Sequence, residues 1–281
     1  MAAITATAPG TTRTRRARSR RSLSGTSGLA LGVAMIWLSL LVLIPLVAVL
    51  VSAAGLGAGG VWDVLTNPQT LAALRLTVLE SVAVTVVNVV MGTALAWVLV
   101  RDSFWGKRLL DVVIDVPFAL PTIVAGLVLL SLYGPHSPLG IHAANTRWAV
   151  WLALGFVTLP FVVRTVQPVL ETLERDVEEA AASLGASRFT TFRRVILPSL
   201  VPAIAAGVAL SFARALSEYG SLVLLSGNLP GRTEVASVRI YTFIENGNDD
   251  SAAAVAAILL LVALLVILFL DVIQRRLARR G

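Results

Sequence analysis

Cysteine is absent, which excludes disulfides, thiolate nucleophiles and thiolate-held metals and leaves the compartment open. Lysine occurs once, at Lys107; Gly106 precedes it, but no glycine stands five residues earlier. A phosphate-cradling GxxxxGK loop is therefore missing, and with it an ATP site of that kind. The two histidines, His136 and His142, lie outside any HExxH pattern or acidic cluster, so no metal is assigned. No GxSxG elbow occurs, and the serines of the apolar stretches lack a partner histidine, which argues against a serine hydrolase. No catalytic residue is assigned, and the chain reads as a non-enzyme. Charge is scarce as well: Asp, Glu, Lys and Arg supply 14% of 281 residues against 57% hydrophobic ones, too apolar a balance for a soluble protein.

That balance suits a bilayer, which a helix crosses with about 20 apolar residues. Six such stretches stand out, near residues 29–53, 76–100, 112–133, 148–166, 200–225 and 252–272. The expected fold class is thus an all-α membrane protein with six transmembrane helices. Basic residues collect on the cytoplasmic side of membrane proteins. Here they collect in the N-terminal tail (Arg13, Arg15, Arg16, Arg18, Arg20, Arg21), after the second span (Arg101, Lys107, Arg108), after the fourth (Arg164, Arg175, Arg188, Arg193, Arg194) and at the C-terminus (Arg275, Arg276, Arg279, Arg280). The other side holds only Arg75, Arg147, Arg232 and Arg239. Both termini are expected in the cytoplasm, and the net charge of +7 follows from topology, not from nucleic-acid binding.

Three regions result: an Arg-rich tail over 1–28, expected to be disordered and near anionic lipid; a six-helix transmembrane domain over 29–274; and a basic C-terminus over 275–281. Ser19-Arg20-Arg21-Ser22-Leu23 loosely matches a twin-arginine export signal. The apolar run behind it is about twice the 7 to 15 residues of a signal-peptide core, so a retained first span is expected.

Between the fourth and fifth spans, about 171–198, lies Glu179-Ala180-Ala181-Ala182-Ser183-Leu184-Gly185, followed after an Arg-rich interval by Leu197-Pro198. Acidic residues at its start favour a helix N-terminus, alanines extend it, and Gly185 supplies a left-handed closing position. Ser187 to Val195 reads as a second short amphipathic helix that Pro198 breaks. The small-residue face would let a partner approach closely; an ordinary loop between membrane helices is the plainer reading.

Charges inside spans are costly and need partners. Arg214 and Glu218 stand four apart on one helix face and can pair, among Ser211, Ser217 and Ser221. Their role is either attraction of an anion or an ion pair that locks helices. Glu80 is matched with Arg75 or placed near the outer interface, and Asp111 and Asp115 are matched with Arg101 or Arg108. Pro117 and Pro121, with Thr122 behind them, remove backbone donors from the third span and place a break inside the bundle. Pro117, Pro121, Thr122, Ser211, Arg214 and Glu218 are the candidate translocation-path residues.

The loop resembles the EAA loop of ABC importer permeases: Glu179, Ala180, Ala181, Gly185, Leu197 and Pro198 fill its pattern, with Val195 where isoleucine is usual. The resemblance runs from about Trp37 to Gln274. It implies a type I importer permease fold in which this loop is the coupling helix that enters a separate ATPase subunit. Within that family the stretches from Asp115 to Gly126, Thr158 to Arg164, Phe212 to Gly220 and Asn228 to Glu245 are similar to the sulfate and thiosulfate permeases of the molybdate/sulfate group. What the resemblance implies is a multi-pass subunit of the bacterial inner membrane. Its partners would be a homologous second permease, two ATPase subunits that carry the ATP and Mg, and an extracytoplasmic sulfate-binding protein; this chain would bind no cofactor. Molybdate or tungstate import is the alternative cargo. A proton-coupled carrier using Glu80 or Glu218 as relay is the rival mechanism.

Overall fold

The computed structural model describes residues 25–173 and 175–278, and every regular element among them is helical. They fall into two units, divided between Val47 and Ala48. In the first are α1 (Gly25–Leu38), a π-helical turn (Ser39–Leu43) and the start of α2 (Ile44–Gly55). Residues Leu29–Gly55 are long and apolar enough to cross a membrane. The tail expected over 1–24 and the last residues of the C-terminus, 279–281, lie outside the described residues.

In the second unit α3 (Gly57–Thr66) leads to α4 (Pro68–Arg101), which starts where Asn67 accepts the N–H groups of Gln69 (3.0 Å) and Thr70 (3.3 Å). Then come α5 (Lys107–Ala119), α6 (Thr122–Tyr133), α7 (Arg147–Thr172), α8 (Arg175–Ser183), α9 (Arg188–Thr191), α10 (Leu197–Leu216), α11 (Gly220–Leu225), α12 (Ala236–Glu245) and α13 (Asp249–Ala278). Helices α4, α7 and α10 form the centre, and α13 packs on α10 and α12.

The centre is set by one crossing. Val162 of α7 lies between Gly92 of α4 and Gly207 of α10. A Cβ on Gly92 would stand 2.8 Å from the Val162 Cβ, and one on Gly207 would stand 3.1 Å from its Cα. Lipid offers no hydrophobic drive for helix association, so close backbone approach at small residues supplies the packing. One apolar cluster surrounds Val162 with Ala96, Leu99, Val166, Leu170 and Leu200; a second holds Leu76, Val84, Leu154, Leu222 and Leu225. On the α4–α7 contact the buried Asn88 amide donates to the Thr158 hydroxyl at 2.7 Å.

Among the described residues, five helices are long and apolar enough to span a bilayer, and a sixth span exists if α5 and α6 are counted together. The break expected at Pro117 and Pro121 is there, and the first departure is its size, because α5 and α6 meet at 118°. Leu120 is extended (φ −87°, ψ 133°), the conformation that a following proline imposes on the residue before it. The second departure is the fifth span, which stops at Leu216; Ser217, Glu218 and Tyr219 interrupt it before α11. The third is Pro198, which does not break its helix. Residues Arg188–Leu216 run on as one apolar helical stretch, with a π-helical turn at Phe192–Ile196 ahead of Pro198. Widening that turn absorbs the hydrogen bond that proline cannot make.

Gly92→Val and Gly207→Val should each destabilise the fold by about 1–3 kcal/mol through overpacking, the first against Val162 and the second against Thr165 and Val162. Gly155→Ala, on α7 with nothing within 4 Å of its added carbon, should be neutral. Thermal unfolding of the detergent-purified chain, read by size exclusion, checks this; equal melting of all three variants would refute the crossing as the limiting contact.

Candidate functional site

The predicted loop forms as its residues dictate. Asp176 and Glu178 lie in the first turn of α8, where helix amides favour negative charge. Past Ser183, Gly185 adopts φ +80°, and the Ala186 N–H reaches the Ala181 carbonyl at 3.0 Å while Gly185 N–H reaches Ala182 at 2.9 Å. This closure needs a left-handed residue, and only glycine takes it without strain. The Ser187 hydroxyl then accepts the Thr190 N–H at 3.3 Å and starts α9.

Glu179, Ala180 and Gly185 are exposed and Ala181 is half-buried, all on α8 and its closing turn. Leu197, half-buried, and Pro198, exposed, stand instead in the first turn of α10. The sequence reading missed two residues. Leu184 is 90% exposed and Phe189 71% exposed, an apolar pair beside Gly185 that water alone would not favour. Their signal was present as large apolar residues within an otherwise small and polar stretch.

Two arginines carry pairings that spacing did not reveal. Arg101, at the end of α4, places Nη2 2.7 Å from Glu178 Oε1 and donates to the Leu173 carbonyl at 3.1 Å. It thereby ties α4 to both ends of the segment entering α8. Asp111 and Asp115 therefore pair with neither Arg101 nor Arg108 but with Arg164, whose Nε and Nη2 hold Asp115 at 2.7 and 2.6 Å and whose Nη1 meets Asp111 at 2.8 Å. The reason is that α7 runs on to Thr172, so Arg164 belongs to a helix face against α5 and not to a loop. Likewise Glu80 shares a cavity of about 350 Å³ with Arg147, Trp148 and Trp151, without Arg75 among the lining residues.

Of the candidate path residues, Thr122, Arg214 and Glu218 converge on the two helix breaks. Helices α6 and α11 pack closely: a Cβ on Gly126 would stand 2.8 Å from Ser221 Cα, and Gly220 abuts the Thr122 hydroxyl. Glu218, 1% exposed, accepts the Ser221 N–H (2.9 Å) and hydroxyl (2.8 Å) on one oxygen and meets Arg214 at 2.7 Å with the other. Its own carbonyl accepts the Ser237 hydroxyl at 2.7 Å, joining α12 to the break. A buried carboxylate so engaged is an anchor, and its fixed partners suit it poorly to shuttling protons. Ser211 is fully buried, Pro117 half-buried within α5, and Pro121 is the exposed residue just before α6. Beside the break, Tyr219 and Tyr241 hold ring centroids 5.5 Å apart, and hydrogen bonding to Glu245 pushes the Tyr241 phenol above its ordinary pKa.

The family model described as binding-protein-dependent transport system inner membrane component matches residues 88–280. A protein of Synechocystis sp., described as sulfate transport system permease protein CysT, is 46% identical over 76% of this chain and 77% of its own length. Its counterpart of the same description in Escherichia coli K12 is 41% identical over 90% of this chain and 94% of its own. Among solved structures, a chain of a bacterial alginate ABC transporter in complex with an alginate pentasaccharide-bound periplasmic protein superposes with a TM-score of 0.73 at 18% identity, covering 89% of this chain and 93% of that one. A chain of the inward-facing MetNI methionine ABC transporter gives 0.57 at 18% identity, covering 73% and 96%. These structural likenesses show the type I importer permease fold.

Arg101→Ala should release the α8 segment. Hydrogen exchange over residues 173–186 should then rise about tenfold, the loss of roughly 1–2 kcal/mol expected for a mostly buried ion pair. Glu178→Gln should give a smaller rise, and exchange unchanged in both would show that the pair does not hold the loop.

Proposed function

The chain belongs to the binding-protein-dependent transport system inner membrane components, and from that premise we propose that it is the permease subunit of an ATP-driven sulfate and thiosulfate importer. The observation that carries the cargo is the end-to-end match to the sulfate permease of Escherichia coli, 41% identical over 94% of that protein. The chain is a multi-pass membrane protein. In the proposed assembly both described ends, near α1 and α13, face the cytoplasm, where α8 and α9 present Leu184 and Phe189 to a separate ATPase subunit. Two such subunits bind the ATP and Mg, a homologous second permease completes the pathway, and an extracytoplasmic sulfate-binding protein delivers the anion.

Several features of the geometry support this reading. An exposed apolar pair at a glycine-closed tip is suited to burial in a partner's cleft. Closure of the ATPase pair would move the tips together, and the rigid tie of Arg101 to Glu178 and Leu173 would carry that motion into α4. The anchoring of Glu218 by Arg214 and Ser221 counts against a proton-relay carrier.

ATP-dependent uptake of radiolabelled sulfate by the reconstituted complex tests the function, with thiosulfate, molybdate and phosphate as competitors. Block by thiosulfate with little effect of molybdate is expected; preference for molybdate would replace the cargo, and uptake independent of ATP would overturn the reading. Glu179→Lys and Gly185→Asp should each lower transport at least tenfold while the chain stays in the membrane, the second because an αL position strains any residue with a Cβ. Normal transport in both would reject the docking role of the loop.

A further inference from the structure

We propose that the cavity between the start of α7 and the loop joining α11 to α12 is an oxyanion site on the extracytoplasmic face, a proposal that rests on the importer reading and its orientation. Four basic residues lie on that face, Arg75, Arg147, Arg232 and Arg239, against the bias that collects Lys and Arg in the cytoplasm. Arg239 is used within the fold: its Nε donates to Thr70 Oγ1 at 3.3 Å and its guanidinium lies 4.3 Å from the Phe243 ring centroid. Arg147 and Arg232 form no salt bridge among the described residues. Both line one cavity of about 260 Å³, together with Asn145, Thr146, Leu229 and Thr233.

The two arginines stand on segments far apart in the chain that backbone hydrogen bonds hold together. The Asn145 N–H donates to the Leu225 carbonyl at 3.0 Å, fixing the entry to α7 against the end of α11. Past α11, the N–H groups of Arg232, Thr233 and Glu234 all converge on the Leu229 carbonyl at 3.0, 3.0 and 3.1 Å. The Leu229 N–H in turn donates to the Thr233 hydroxyl at 3.0 Å. The backbone that carries both arginines is thus set before any ligand arrives, and binding has only their side chains to order.

Its charge is of one sign. No carboxylate lines it; Glu234 is buried and accepts from Gln69 Nε2 at 2.8 Å, and Glu80 lies with Arg147 in the adjoining cavity. The guanidinium fork matches two oxygens of a sulfate-like anion, and the N-terminus of the 26-residue α7 adds positive potential at the same place. The volume equals that of about nine waters at ~30 Å³ each, enough for a tetrahedral dianion that keeps part of its hydration. Both arginines are exposed, so the anion is held weakly, as transit requires. Concavity at this scale favours a small anion over an acidic protein surface.

Equilibrium binding of radiolabelled sulfate to the complete complex in nanodiscs, without its binding protein, tests the site with Arg232→Gln, Arg232→Lys and Arg147→Gln. Saturable binding to the unmodified complex is expected. It should weaken about tenfold in each glutamine variant, the size of one lost charge-assisted contact, and less in the lysine variant. Equal binding in all variants, or no saturable binding to the unmodified complex, would overturn the site. Each of these results is read independently of uptake, so failure of sulfate transport with arginine-dependent binding intact would reject the importer reading alone. Loss of binding-protein docking in Arg232→Gln with sulfate binding unchanged would overturn the proposal in favour of an acidic protein partner.

Discussion

Everything in the second unit depends on the crossing of three helices at Val162. Gly92 and Gly207 remove the side chains that would otherwise keep α4 and α10 from α7, and the backbones meet around one β-branched residue. Because lipid supplies no hydrophobic drive, dispersion at such contacts and the Asn88–Thr158 hydrogen bond nearby must hold the centre. The apolar clusters on either side follow from that geometry. A rigid centre also fixes where the less regular parts can lie, since α5, α6 and α11 are left to pack around it.

Those parts contain both helix breaks, and each is stabilised by polar contacts of its own. Leu120 is extended because Pro121 follows it, and the two half-spans are secured on one side by Arg164 gripping Asp111 and Asp115. At the other break, Glu218 satisfies the Ser221 N–H at the start of α11 and pairs with Arg214 one turn before the interruption. Non-helical backbone at membrane depth survives only where protein buries it or satisfies it. Here α6 and α11 bury one another across Gly126 and Gly220, so two interruptions far apart in sequence solve a single problem.

Spans, loop and resemblance were legible because they rest on local rules: apolar length, the left-handed demand at Gly185, and the acidic start of α8. Pairings between helices were not. Sequence offered Asp111 and Asp115 two partners, Arg101 or Arg108, and only the continuation of α7 to Thr172 brings Arg164 to them instead. Pro198 misled for a related reason: a proline breaks an α-helix, but a π-helical turn before it keeps the axis continuous. Ser217 to Tyr219 include neither proline nor glycine, so the interruption there comes from tertiary anchoring of Glu218, which composition does not express.

Continuity through Pro198 has a mechanical consequence in the proposed importer. Residues Arg188–Leu216 form one helical rod of about 43 Å at 1.5 Å per residue, with the exposed Phe189 at one end and the anchored break at Glu218 just past the other. Val162 bears on this rod at Gly207, nearer the break than the tip. Displacement of the tip by an ATPase would therefore pivot the rod about a close-packed contact, with the longer arm on the cytoplasmic side. The shorter arm ends at Arg214, which pairs with Glu218, and Glu218 is held in turn by Ser221 of α11 and Ser237 of α12. A pivot so placed reduces a large motion at the tip to a small one at the break, which is where α6 and α11 meet.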